Sequence, residues 1–348
     1  MDLTVTIVTR NRAESLKEGL ISLTKQVYAA ERYEVIVVDN GSTDHTRDIA
    51  GSMADSFTNF TYVHDPRPGQ LVGYHRALQA AKGSIACFID DDVRPSESWL
   101  AGLAASYEEP NVGLATGPIK LEFEADRPAW LDHMELGEPG GMTLPFLGLL
   151  DCGSDAREIP TNLVWGSNFS ARRDLLLRVG GFHPTAMPSD LLHFHGDGEI
   201  YPGRAIAEAG YVAVYNPAAT VRHIIPEERL TLEAVVKKFE TTGYARSFQA
   251  LRQTGVAYPK PTEAEIIDIT SRYFRDWRNA PGDLKQAVLE GLTYGIRQHL
   301  KYFTDDQDFR RWVLRDNYLD LERCYNHPDL INYQARVKGA EQDWRSGT

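Results

Sequence analysis

Ile85-Ala86-Cys87-Phe88-Ile89-Asp90-Asp91-Asp92 sets an unbroken apolar run against three consecutive acids. A run without polar alternation reads as a parallel strand covered on both faces, here over residues 84–90. Two similar runs stand upstream, residues 3–9 and Glu34-Val35-Ile36-Val37-Val38-Asp39. Between and after them, residues 13–26 and 70–82 carry helical period and residues 60–64 read as a further strand. Asn40-Gly41-Ser42-Thr43-Asp44 turns into another helix, with Ser42 or Thr43 as its expected cap. The alternation predicts an α/β fold with a doubly wound, mostly parallel sheet flanked by helices.

Downstream the rhythm loosens. Residues 125–162, with Gly137-Glu138-Pro139-Gly140-Gly141 near their middle and Trp130 and Phe146 on either side, read as an irregular loop or lid. A short helix is expected over residues 172–179, ended by Gly180-Gly181, and another from Pro202 to Ala209. Residues 211–215 and 219–223 look like a closing pair of strands. From Thr231 the apolar positions recur at helical spacing, first Tyr244, Phe248 and Leu251, then Leu284, Val288, Leu292, Ile296 and Leu300. Pro259, Pro261, Pro281 and Pro328 punctuate these segments, so residues 1–230 are expected to form the sheet domain and 231–348 a C-terminal helical appendage.

Composition narrows the function. Lys and Arg number 37 against 49 Asp and Glu, a net charge of −12 over 348 residues, which repels phosphate backbones and argues against a nucleic-acid partner. The cysteines, Cys87, Cys152 and Cys324, lie far apart in no paired spacing, so neither a disulfide framework nor a cysteine zinc site is indicated. No apolar run reaches the roughly 18 residues of a membrane span, and the start lacks a secretory pattern, so a cytoplasmic chain is expected. An anionic substrate would need local help from a metal ion or a few placed cations.

In a doubly wound sheet, ligands sit at the carboxyl ends of the strands. Here those ends read Thr9-Arg10-Asn11-Arg12, Asp39-Asn40 and Asp90-Asp91-Asp92. If the last strand continues, Asp90 and Asp92 project to one face and Asp91 to the other, and two carboxylates on one edge suit Mg²⁺ or Mn²⁺ shared with a substrate diphosphate. The plainer alternative is a polar turn. His193, His195, Asp197 and Glu199 fall at alternate positions, which a metal-dependent hydrolase could use, although loop histidines are more often simply solvated. Asp197 and Glu199 precede a helix start, where the dipole keeps a carboxylate ionised, as a general base must be near neutral pH. His223, closing a strand-like run, reads by itself as packed or solvated.

The order of these pieces resembles the family 2 glycosyltransferases of GT-A, Rossmann-like fold. The resemblance rests on Val8-Thr9-Arg10-Asn11-Arg12, Val38-Asp39-Asn40-Gly41-Ser42, Asp90-Asp91-Asp92, Trp165-Gly166-Ser167-Asn168, Gly196-Asp197-Gly198-Glu199 and His223. It implies inverting transfer from a nucleotide diphosphate sugar of UDP or GDP type to an acceptor hydroxyl, with Mn²⁺ or Mg²⁺ as cofactor. By that resemblance Asp90 and Asp92 form the DxD motif, and His223 completes the metal shell. Thr9, Arg10, Asn11, Arg12, Asp39, Asp90, Asp91, Gly166, Ser167 and Asn168 lie along the donor, Asp39 against its base. Asp197 stands at the position of the catalytic base with Glu199 behind it, although the acid that usually precedes that aspartate is Gly196 here. Relatives carry Ala-Arg-Asn where this chain has Gly73-Tyr74-His75-Arg76, which makes Arg76 the candidate cation for the donor. A non-catalytic nucleotide-sugar binder remains the alternative to an enzyme, and the C-terminal helices could bind acceptor, cover the sheet or form a homodimer.

Overall fold

The computed structural model describes residues 1–138, 141–255, 261–326, 330 and 333–334. Strands β1 (Leu3–Thr9), β2 (Tyr33–Asp39), β3 (Phe60–His64) and β4 (Ile85–Asp90) run parallel in the order β3-β2-β1-β4. Helices α1 (Ala13–Leu23), α2 (Thr46–Met53) and α3 (Gln70–Ala80) make the crossovers. Every residue of β1 and β2 is buried, as a two-faced apolar strand requires. The register pairs Thr9 with Asp39 and Asp39 with His64, and Val8 with Asp90, so the strand-end residues stand along one edge. The α2 cap is neither Ser42 nor Thr43: Asp44 Oδ1 accepts the Thr46 N–H at 3.0 Å, while Ser42 Oγ accepts the Asn11 N–H.

After β4 the chain passes through β5 (Val93–Pro95), α4 (Trp99–Ser106), β6 (Val112–Thr116) and β7 (Ile119–Phe123). The stretch expected to be an irregular lid instead holds four short strands and a 3₁₀ turn over Ala129–Met134. β8 (Leu136–Glu138), β9 (Gly141–Leu144) and β10 (Leu149–Asp151) join a second sheet, and β11 (Arg157–Ile159) edges the first. Strands of three or four residues are too short to show an alternation, and while β8, β9 and β10 pair with one another in chain order, the contacts that join them to the sheets, β10 with β7 and β11 with β13, are remote in sequence. Pro139 and Gly140, at the centre of that stretch, lie outside the described residues, as do Pro259 and Pro328.

β12 (Phe169–Arg172) inserts antiparallel between β4 and β6, followed by α5 (Arg173–Arg178) and α6 (Ile200–Glu208). The expected closing pair of strands does not pair. β13 (Val212–Tyr215) runs parallel to β6 in the first sheet, and β14 (Val221–Ile225) lies parallel to β7 in the second. The sheets therefore read β11-β13-β6-β12-β4-β1-β2-β3 and β5-β14-β7-β10-β9-β8.

The helical period after residue 231 resolves into α7 (Leu232–Thr254), α8 (Glu263–Ser271), α9 (Gly282–Asp305), α10 (Gln307–Val313) and α11 (Leu321–Tyr325). Thr231 caps α7 by accepting the Ala234 N–H. Phe248, Leu251, Ile296, Leu300 and Trp312 share one apolar cluster with Val8, Ile36, Val38 and Phe88, so these helices cover the sheet. α7 and α9 approach closely because glycines face one another. A methyl on Gly243 would stand 2.6 Å from the Leu292 carbonyl oxygen and 3.0 Å from Gly295 Cα. Gly243→Ala is expected to destabilise the protein by about 1–3 kcal/mol through overpacking. Gly51→Ala on α2, where nothing lies within 4 Å, should be neutral or slightly stabilising. Urea unfolding of the two variants checks this, and equal midpoints would exclude a tight α7–α9 contact.

Candidate functional site

A cleft of about 1030 Å³ opens at the carboxyl ends of β1 and β4. Its floor is the acidic corner. β4 ends at Asp90 and the chain turns through Asp91 and Asp92, so the strand alternation stops there. Asp90 Oδ1 accepts from Gln70 Nε2 at 3.0 Å. Asp91 and Asp92 instead share Arg12, whose Nη1 lies 2.8 Å from Asp91 Oδ1 and whose Nη2 lies 2.9 Å from Asp92 Oδ2. Thr9 Oγ1 donates to the other Asp91 oxygen at 2.7 Å. Burial, with Asp92 beside it, pushes the Asp90 carboxyl up to about 6. Burial likewise pushes Asp91 up to about 7 against the pull of Arg12. For Asp92 burial also acts upward, but His223 and Arg12 outweigh it and hold the carboxyl well below the usual range.

Asp92 Oδ1 is buried without a hydrogen-bond partner and faces His223 Nε2 at 3.5 Å. The His223 Nδ1–H donates to the Leu147 carbonyl at 2.9 Å, which leaves the lone pair on Nε2, where Arg229 Nη1 approaches to 3.1 Å. An unpartnered carboxylate oxygen beside an imidazole lone pair, the ring oriented by a backbone carbonyl, is a donor pair that a divalent cation fits. Among the described residues no group of three or more His, Cys, Asp or Glu side chains forms a complete metal cage. A cation held by Asp92 and His223 would take its remaining oxygens from substrate and water, as Mg²⁺ and Mn²⁺ do at diphosphates.

Asp197 lines the same cleft. Its carboxylate is buried, accepting from His183 Nδ1 at 2.5 Å and from Gln249 Nε2 at 3.0 Å. His183 lies stacked on Tyr201 with ring centroids 3.6 Å apart. Burial lowers the His183 pKa and keeps the ring neutral. Burial alone would raise Asp197, but the His183 and Gln249 hydrogen bonds prevail and keep it ionised. Glu199, the residue before α6, is half-buried and accepts the Gly166 N–H at 3.2 Å.

The remaining candidates divide. Arg10, Arg12, Gly166 and Ser167 line the cleft. Asn11, Asp39, Arg76 and Asn168 are not among its lining residues. Asp39 accepts from the Ser42 N–H at 2.7 Å and the Tyr62 hydroxyl at 2.6 Å, holding the turn after β2. Asn11 sits at φ +54° and accepts the Thr43 N–H. Arg76 turns to Asp65 at 3.4 Å. Asn168 takes Trp99 Nε1 and donates to the Gly117 and Ala219 carbonyls, tying strands together.

The solvated reading of the loop histidines gives way. His193 is buried, stacked on Tyr302 at 4.0 Å, and is not a lining residue, while His195 is buried in the cleft wall. They do not converge with Asp197 as metal ligands, which removes the hydrolase constellation. Tyr302 on α9 and Phe309 on α10 took the His193 ring in, and those lie more than a hundred positions away.

Sequence reading missed four contributors. His183 follows Gly180-Gly181-Phe182, and its only signal was the glycine pair ahead of it. Gln249 and Lys238 stand on α7, where Lys238, Thr241, Thr242, Ala245, Arg246 and Gln249 recur at three- and four-residue steps along the cleft. Arg229 lies just before α7.

A carboxylate corner facing an ionised aspartate across one cleft at the strand ends is the layout of a group-transfer enzyme. The chain belongs to glycosyl transferase family 2, whose family model matches residues 4–177, half of its length. Glycosyltransferase AglE of Haloferax volcanii is 30% identical over 122 residues, 35% of this chain and 40% of AglE, so less than half of that relative is spanned. The glucosyl-dolichyl phosphate glucuronosyltransferase of the same organism is 22% identical over 258 residues, 72% of this chain and 76% of that protein. Among solved structures, mannosyltransferase PcManGT from Pyrobaculum calidifontis in complex with GDP-Man and Mn²⁺ aligns with a TM-score of 0.49 at 19% identity, covering 98% of this chain and 79% of that one. Among the described residues no helix is long and apolar enough to cross a membrane.

Burial lowers the His193 pKa to about 4. The unfolded chain takes up a proton there below about pH 6.5 that the folded protein refuses, so this ring stabilises above pH 6.5 and its contribution is lost as pH falls toward 4. His193→Phe should make stability between pH 6 and 4.5 shallower by about 1.4 kcal/mol per pH unit, read from urea midpoints. An unchanged slope would mean that the ring is solvated.

Proposed function

We propose that the protein transfers a sugar from a UDP- or GDP-type nucleotide sugar to an acceptor hydroxyl with inversion, using a divalent cation at Asp92 and His223 and Asp197 as general base. The observation that carries this reading is that Asp92, with its unpartnered oxygen, and Asp197 line one cleft. When bound, Mn²⁺ or Mg²⁺ supplies the positive charge that a departing diphosphate needs in a chain of net charge −12. Arg12 and Thr9 hold the acidic corner in place, and Arg10 stands at its rim as a cation for the nucleotide.

Asp197 takes the acceptor proton as attack proceeds. A carboxylate has about four lone-pair sites, so the bonds from His183 and Gln249 leave capacity for the hydroxyl. Those bonds fix the orientation and keep the group ionised, and the neutral His183 adds no competing positive charge. The second sheet and α7 wall the cleft and limit the water that could take the acceptor's place.

Three outcomes follow from this reading. In a thermal-shift panel of UDP- and GDP-sugars, one nucleotide should stabilise the protein with Mn²⁺ and much less without it. Asp92→Ala and His223→Ala should each remove most of the Mn²⁺-dependent part of that shift. Asp197→Asn should keep the shift yet lower transfer by roughly 10²- to 10⁴-fold, which also separates an enzyme from a mere binder. Full activity in Asp197→Asn together with loss in Glu199→Gln would move the base to Glu199.

A further inference from the structure

The α7 face toward the cleft carries Lys238, Thr241, Thr242, Ala245, Arg246 and Gln249, and no carboxylate. In a chain with 49 acids against 37 bases, an acid-free, cationic wall opposite an acidic corner is a local reversal of the overall charge. Lys238 stands open to the cleft and makes no ion pair or hydrogen bond among the described residues. Glu199 and Asp90 act on it through space without bonding it, and surrounding protein and Arg229 lower its pKa, so its charge lacks full compensation. Arg246 is held by the Tyr273 hydroxyl, at 3.1 Å through Nε and 2.9 Å through Nη2, which orients the guanidinium and leaves Nη1 for another acceptor. Two helical turns separate the two cations, about 12 Å along the axis. Arg229 approaches His223 Nε2 to 3.1 Å through Nη1 and acts on Lys238 through space, so it stands near both the acidic corner and this pair. His195, on which both Lys238 and Asp197 act through space, is buried in the cleft wall with Nδ1 unpartnered. Burial, and then Lys238, keep that ring neutral with a pKa of about 3, so Nδ1 can accept from a hydroxyl or donate to an anion according to its tautomer.

We infer that the α7 face is the acceptor subsite and that the acceptor carries a phosphate or carboxylate, seated on Lys238 and Arg246, close to the hydroxyl that Asp197 deprotonates. This rests on the glycosyltransferase reading above and adds the acceptor's chemical class to it. Transfer then balances simply: the anomeric carbon exchanges its bond to the diphosphate oxygen for one to the acceptor oxygen, and the acceptor proton goes to Asp197. Threonines 241 and 242 between the cations supply hydroxyls for the polar body of such a substrate. The cleft volume, at the upper end of the roughly 300–1,000 Å³ of single-ligand pockets, has room for a second substrate beside the donor.

The test uses the full chain loaded with Mn²⁺ and whichever of UDP or GDP stabilises it, then titrated with glucose 6-phosphate, inorganic phosphate and glucose while the melting temperature is followed. The two phosphates should raise it further and glucose should not. Lys238→Met combined with Arg246→Met should weaken the glucose 6-phosphate response tenfold or more with the nucleotide shift intact, and Lys238→Arg should retain it. Equal responses in wild type and double variant, or none in wild type, overturn the subsite. Loss of the nucleotide shift in the double variant also overturns it, because the cations would then serve the donor. So does a double variant that loses only a preference for UDP-glucuronate over UDP-glucose, since the charge would then lie on the transferred sugar. A wild type that responds to no nucleotide sinks the donor reading itself, and the subsite with it.

Discussion

Like charges crowded at one strand end are the constraint around which this cleft is organised. Asp90, Asp91 and Asp92 follow one another where β4 leaves the apolar interior, and among the described residues Arg12 is the guanidinium that bonds their carboxylates, reaching two of the three. Two of the three respond by holding protons more tightly, while Asp92, between Arg12 and His223, stays ionised. The group with the strongest charge therefore keeps an unbonded oxygen facing a histidine lone pair. Such a corner is stable enough to fold and still short of positive charge, a state that favours binding a cation together with an anionic substrate.

The opposite wall is built by packing. α7 reaches the cleft because glycines let it sit almost backbone to backbone on α9, while its apolar face shares the sheet's own cluster. That contact sets where Gln249 meets Asp197 and where Lys238 and Arg246 stand. Burial of neutral histidines beneath this helix layer adds rigidity near neutral pH and costs stability in acid. The orientation of Asp197 and the fold of the C-terminal helices are thus one problem in packing.

The parallel strands were readable because each is a short, continuous apolar run, and the strand-end acids because polar residues break that run abruptly. Asp90 and Asp92 could be singled out by position, Asp197 and His223 through the family resemblance, and all four line one cleft. The second sheet was not readable: β8, β9 and β10 are three or four residues long, and β10 alone ties them to a strand further back, β7. Asp39 and Asn168 illustrate the reverse error. Both are polar residues at motif positions, yet neither is among the cleft's lining residues: Asp39 holds the turn after β2 and Asn168 ties strands together.

Local composition thus decided the parallel strands and helices of the first half, the acidic strand tip and the helical character of the last third, since periodicity and turn chemistry act over a few residues. The three-dimensional fold alone decided that His183 and Gln249 hold Asp197, that His193 is enclosed by aromatic rings, and that a basic helical face meets an acidic corner. Those pairings join segments tens to more than a hundred positions apart, and contacts at such range leave no periodic trace in either partner.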